Sequence, residues 1–165
     1  MDPHRASRRI DPSMLVATAC GIGFVGIAPG TFGSLPGLFF AMLLGGMVHP
    51  LALVAGTVVV TLAGFATAGH AERELGMDDP GPVVIDEVAG QMLTLWFVPL
   101  NIGTLAAGFF LFRLMDVLKP FPARRLEKRH GATGIMLDDL VAGLYANLVL
   151  QILLRTLPAG WLTMP

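Results

Sequence analysis

LALVAGTVVVTLAGFATA, residues 51–68, runs for eighteen positions without a charged side chain. As an apolar helix it covers roughly 27 Å, close to the roughly 30 Å hydrocarbon thickness of a bilayer. The wider composition agrees: 54% of the 165 residues are hydrophobic and only 14% are charged, where soluble proteins carry roughly 25% charged residues. The chain therefore reads as an all-α integral membrane protein, a compact bundle of about four to five apolar helices.

Toward the amino terminus, His49 and Pro50 interrupt the pattern, and Leu35 to Val48 forms a shorter run, about 21 Å as a helix. Ahead of it, APGTFGSLPG at 28–37 reads as a turn-rich loop whose prolines and glycines oppose regular helix. Met14 to Ala28 is apolar but holds Gly21, Gly23 and Gly26, and reads as an interfacial or re-entrant piece. Residues 1–13 form a polar tail whose Arg5, Arg8 and Arg9 place it in the cytoplasm by the positive-inside tendency. Residues 14–165 form a single helical membrane domain, and the first apolar run ends without an A-x-A pattern, so no cleaved signal peptide is expected.

Toward the carboxyl terminus, His70 to Pro82 is a polar loop. Asp86 and Glu87 precede a third apolar run, Val88 to Leu100, and Ile102 to Leu118 is a fourth, carrying Arg113 and Asp116 near its end. Lys119 to His130 is the most basic segment, with Lys119, Arg124, Arg125, Lys128 and Arg129. The last run extends from Ile135 to Leu157 and contains Asp138 and Asp139.

If all five runs cross, the loops starting at Ala28, His70 and Lys119 share the cytoplasmic face, and the opposite loops, His49 to Pro50 and around Asn101, are short and uncharged. Asp86, Glu87, Asp116, Asp138 and Asp139 then fall at one depth, within about two helical turns of that face. A carboxylate inside a membrane helix costs roughly 2.5 to 3.5 kcal/mol and persists by pairing, by reaching water or by holding a cation. Arg113, Asp116 and Lys119 share one broad helix face and supply an internal ion pair, but the remaining acids outnumber such partners. Oxygen ligands without thiol or imidazole suit Mg²⁺ or Mn²⁺ rather than zinc, and Mg²⁺ completes its shell with phosphate oxygens and water. The site is thus expected to take a phosphorylated ligand. In GTFGS, residues 30–34, Thr31, Gly33 and Ser34 offer hydroxyls and backbone amides before a helix start, a second place for phosphate.

Plainer readings compete at each position. Acid pairs at helix starts also complement the helix dipole, basic loops face anionic lipid, and Thr31 and Ser34 suit a turn and cap. A formal net charge of -1 excludes a phosphate-tracking nucleic-acid surface, and one cysteine, Cys20, excludes an internal disulfide. Cys20 has no arginine six residues on, so a C-x₅-R phosphatase loop is excluded.

Four blocks, APGTFGSLPG at 28–37, VVIDEVAGQM at 83–92, FRLMDVLKPFPARRLE at 112–127 and GATGIMLDDLVAGLYAN at 131–147, together resemble the phosphatidylglycerophosphatase A family of bacteria. Met115 stands where the family often has Phe, and Glu127 where Asp is common. The resemblance implies a Mg²⁺-dependent phosphatase of the inner membrane, facing the cytoplasm, that converts phosphatidylglycerophosphate to phosphatidylglycerol. It also implies that Asp86, Glu87, Asp116, Asp138 and Asp139 form the site, as metal-holding and catalytic groups. Lys119, Arg113 and Arg124 are then expected to stabilise the charge of the phosphate. A small transporter with an acidic cation pathway is the rival from another class; it predicts charges at several depths rather than at one face. The D-G-x-x-A-R pattern of CDP-alcohol transferases and the P-S-G-H phosphatase signature are both absent.

Overall fold

A computed structural model describes residues 11–127 and 129–156. Most of the expected polar tail, the Leu157 end of the last run and Lys128 therefore lie outside the described residues. Among the described residues all regular structure is helical. The helices are α1 (Pro12–Ala17), α2 (Pro29–Ala41), α3 (Pro50–Leu75), α4 (Ile85–Thr94), α5 (Ile102–Leu118), α6 (Ala123–Leu126) and α7 (Ala132–Thr156). A short 3₁₀ turn covers Ile22–Phe24, and α2 runs on through a π-helical stretch, Met42–Gly46.

Local chemistry sets the ends. Pro50 occupies the first position of α3 and His49 caps it, its ring accepting from the Leu51 N–H at 3.2 Å. Gly76, at φ 66°, ends α3 in the left-handed conformation. Asn101 and Thr104 form a capping box at the start of α5. The end of α4 is tied to α7: the Asn147 amide donates to the carbonyl of Thr94, its last residue, and to that of Trp96 in the turn beyond it, both at 2.9 Å.

Helix α4 is the centre. It packs against α2, α3, α5 and α7, and Val88, Ala89, Gly90, Gln91, Met92 and Thr94 are all buried. Its closest approach is to α7, where backbone meets backbone. A Cβ on Gly90 would lie 2.6 Å from the Asp139 carbonyl oxygen, and one on Gly143 would collide with the Gly90 carbonyl. Small residues permit such approach between apolar helices, which in lipid must associate through close packing.

Four expectations change. The stretch 28–37 is not a loop: Pro29 starts α2, and Gly33 and Gly37 face inward, where added Cβ atoms would strike Val84 and Gln91. These glycines serve close packing on α4, which outweighs their poor helix propensity. The polar loop begins at Gly76 rather than His70, because α3 continues to Leu75. The run Val88 to Leu100 is mostly a short internal helix of about 15 Å, too short to span. Asp11 and Ser13, placed in the tail by sequence, belong to the folded start of α1, where the Asp11 side chain accepts from the Ser13 N–H at 2.9 Å.

Two helices, α3 and α7, are long and apolar enough to cross a membrane. Only 22% of the most apolar window of α3 is buried inside the protein, and Leu51, Val59 and Leu62 are each at least 60% exposed. On α5, Ile102 and Phe110 are at least 70% exposed. Apolar surface on this scale suits lipid rather than water.

Adding one methyl at the central crossing should be costly. Gly143→Ala is expected to destabilise the protein by about 1 to 3 kcal/mol through overpacking against backbone. Gly26→Ala, at an exposed position with no atom near the added Cβ, should leave stability unchanged. Thermal unfolding in detergent compares the two.

Candidate active site

The Gly90–Gly143 contact determines what lies one turn above it. Asp86 precedes Gly90 by four residues and Asp139 precedes Gly143 by four, so each carboxylate stands on the same helix face as its glycine, one turn toward the helix start. Crossing at the glycines brings the acids together. Carboxylate oxygens of Asp86, Glu87 and Asp139 all lie within 4.8 Å of one another. Asp116, near the end of α5, borders Asp139. Its own partner is Arg113, with Nη1 2.7 Å from Oδ2.

Asp138 points toward a different neighbour. Its Oδ2 accepts from Lys119 Nζ at 2.6 Å, and the same ammonium reaches Glu127 Oε1 at 2.9 Å. Lys119 is the carboxyl-terminal cap of α5, in the left-handed region at φ 43°, which turns its side chain away from its own helix and across to α7. Burial works against its charge, but the hydrogen bonds to Asp138 and Glu127 outweigh it and hold the ammonium pKa above the usual lysine range.

The remaining acids are short of partners. Asp86 Oδ1, Glu87 Oε2, Asp138 Oδ1 and Asp139 Oδ2 are buried with no hydrogen-bond partner among the described residues. Buried carboxylates in that condition favour the proton or a cation. Burial, first, and the neighbouring Glu87 charge, second, push the Asp86 carboxyl well above the carboxylate range. Burial lifts Glu87 to about 8. A donor set made only of carboxylate oxygen, gathered from two helices and otherwise unsatisfied, fits a hard divalent cation such as Mg²⁺.

Access is from the helix ends. An open pocket of about 520 Å³ is lined by Asp116, Val117, Leu118, Lys119, Arg124 and Glu127, and Arg124 is exposed on its rim. A smaller one, about 210 Å³, reaches Asp138 from the side of Glu72, Asp78 and Asp79. Helix α2 closes the third side through Gly30, where a Cβ would lie 2.6 Å from Glu87 Oε1 and 2.7 Å from Arg113 Nη1.

All five acids singled out by sequence thus gather at one end of the bundle, with Arg113 and Lys119 among them. The GTFGS residues are placed otherwise. Ser34 is buried in α2 and its hydroxyl donates to the Gly30 carbonyl at 2.7 Å, while Gly33 abuts Val84. Neither offers a free group to phosphate, because the expected loop is helix; Thr31 alone is half-buried in the first turn of α2. Two roles escaped the sequence reading: that of Gly30, which was expected to free a backbone amide for phosphate and instead permits close approach to Glu87 and Arg113, and that of Glu127, which takes the second hydrogen bond from Lys119. The signal for the central contact was present in IDEVAG and DDLVAG, residues 85–90 and 138–143, where Asp86 and Asp139 each stand four residues before the glycine of an Ala-Gly pair.

Comparison with known proteins shows the family. A phosphatidylglycerophosphatase A of Haemophilus influenzae is 34% identical over 150 residues, covering 90% of this chain and 92% of that one. Another, of Escherichia coli strain K12, is 35% identical over 158 residues, covering 93% and 90%. A Bacteroides thetaiotaomicron protein described as a candidate phosphatidylinositol-3-phosphatase is 35% identical over 146 residues, covering 84% and 91%. No solved structure matches the chain. Residues 15–154 match the family described as phosphatidylglycerophosphatase A, and that span contains every carboxylate of the cluster: the chain belongs to the phosphatidylglycerophosphatase A family of phosphatases.

Proposed function

We propose that the chain is a multi-pass enzyme of the bacterial inner membrane that hydrolyses the terminal phosphate of phosphatidylglycerophosphate on the cytoplasmic side, using Mg²⁺. The observation that carries this reading is the set of four buried, unpartnered carboxylate oxygens on Asp86, Glu87, Asp138 and Asp139, in a chain whose relatives are named for this activity.

Asp86, Glu87 and Asp139 would hold the cation, with Asp116 beside them. Bound there, Mg²⁺ supplies charge neutralisation for the phosphate and lowers the pKa of a coordinated water. The protein's own groups do the rest. Arg113, braced by Asp116, and Arg124 on the rim give fixed or nearby positive charge for a phosphate that would otherwise meet only acids. Lys119 holds Asp138 by one oxygen and leaves Oδ1 free to take a proton from an attacking water. In the overall reaction water oxygen bonds to phosphorus, the bond from phosphorus to the glycerol oxygen breaks, and that oxygen leaves as the alcohol after gaining a proton.

The depth of the cluster fits a lipid substrate. Amino-terminal parts of α2, α4 and α7 and carboxyl-terminal parts of α3 and α5 share the site's end, while α3 and α7 carry the long apolar surfaces. A phosphate can thus reach the acids while its acyl chains stay in lipid. A transporter would need charge along a path through the bundle, and the acids sit at one end of it.

Purified protein in mixed micelles should release phosphate from phosphatidylglycerophosphate when Mg²⁺ is present and stop when EDTA is added. Phosphatidic acid should be a poor substrate. No release from either lipid would overturn the reading.

Asp139→Asn should lower kcat at least a hundredfold, on the scale of losing an electrostatic contributor. In metal-free buffer the same variant should melt at or above the wild-type temperature, since it removes a buried charge that has no partner.

Proton release should accompany cation binding. With Glu87 lifted to about 8 by burial, the metal-free site keeps its proton at neutral pH, and Mg²⁺ must displace it. Apparent Mg²⁺ affinity is therefore expected to rise from pH 6 to about pH 8 and then level off. Calorimetric titration in buffers of different ionisation enthalpy measures both the affinity and the proton count; affinity that falls over this range would contradict the assignment.

A further inference from the structure

The turn at residues 18–25 has no part in the acid cluster, yet it forms one wall of an open apolar groove whose other wall is α2. We propose that this groove binds one acyl chain of the phospholipid substrate, which rests on the lipid phosphatase reading above and adds a second recognition site to it.

The groove encloses about 570 Å³ and is lined by Cys20, Val25, Phe32, Leu35, Phe39 and Phe40 among others, with almost no polar surface. That size falls within the roughly 300 to 1,000 Å³ of small-ligand sites. From Phe32 to Phe40 it follows α2 for about 12 Å, the shape of an extended hydrocarbon chain rather than a compact solute.

Both walls begin at the end of the bundle that holds the acids. Helix α2 is two-faced: Gly30, Gly33 and Gly37 turn toward α4, while Phe32, Leu35 and Phe39 turn to the groove. Its first turn touches Glu87 and Arg113 at Gly30, only two residues before Phe32 opens the groove. The other wall is tied to the segment that enters α4. The Val84 N–H donates to the Ala17 carbonyl at 2.9 Å, and Gly23 sits so close to the Pro82 carbonyl that a Cβ there would overlap it. Val84 caps α4, two residues before Asp86. The groove begins at the end of α2 that meets the acids, on the opposite face of that helix, and runs away from that end, so a phospholipid whose phosphate lies at the acids would pass its acyl chain around the start of α2 to enter it. Phe24, within the turn, and Ile27, just after it, are 57% and 79% exposed and suit a turn that lies against lipid.

Cys20 lines the groove, is exposed and is the one cysteine of the chain, so its alkylation reports occupancy without turnover. In detergent micelles, dioleoylphosphatidylglycerol, which carries the substrate's acyl chains, should slow maleimide alkylation of Cys20 about tenfold and saturably. Glycerophosphoglycerol, its deacylated head group, should not. Equal protection by dioleoylphosphatidylcholine would make the groove ordinary lipid-facing surface and overturn the proposal, as would no protection at all. Leu35→Trp, which fills the groove, should lower the ratio of kcat/KM for diacyl phosphatidylglycerophosphate to that for its deacylated form at least tenfold; an unchanged ratio overturns it equally. Protection of Cys20 by the diacyl lipid without any phosphate release in Mg²⁺ would leave the groove standing and sink the phosphatase reading instead.

Discussion

The backbone contact between α4 and α7 at Gly90 and Gly143 is the constraint on which the rest depends. Without side chains at those two positions the helices approach closely enough for the Gly90 carbonyl to face Gly143 directly. That approach buries α4 almost entirely, and it fixes the separation of the two acid pairs one turn above. A wider crossing would separate Asp86 and Glu87 from Asp139 and give each its own water. The glycines therefore set an electrostatic distance as much as a packing one.

The cluster built there is unstable in isolation and purposeful in context. Three carboxylates share a volume a few ångströms across, and burial pushes Asp86 and Glu87 toward the neutral form. The cations nearby are already engaged: Arg113 with Asp116, and Lys119 with Asp138 and Glu127. Those pairs brace the periphery and leave the centre short of positive charge. Such a deficit in a dry setting is what a bound cation would relieve, and the hardness of the donors suits a divalent ion of the Mg²⁺ class.

Around that centre, α2 links two chemistries. Its glycine face closes the site and packs on α4, and its aromatic face meets the turn at 18–25. Gly30, Gly33 and Gly37 alternate with Phe32, Leu35 and Phe39 as a helix repeat requires, although as a bare string the same residues, with two prolines, look like a loop. Helical periodicity in this stretch is carried by residue size rather than polarity, because one face meets protein and the other meets apolar surroundings. Reading for polarity alone missed it.

By itself, the sequence determined the helical class, the apolar exterior and the acids that belong together, because charge is so expensive in this composition that its placement on the apolar runs carries information. The family could also be read from its four blocks. The tertiary structure decided what sequence left open. It made α4 a short internal helix whose end is tied to α7 by Asn147, through the carbonyls of Thr94 and of Trp96 in the turn beyond. It turned 28–37 into a packed helix, since Gly33 and Gly37 gain more from contact with α4 than they lose in propensity. It withdrew Ser34 from the site and brought in Glu127 and Gly30. Each of these depends on which surfaces face one another at van der Waals distance, and that follows from the fold of the whole chain rather than from any local pattern in it.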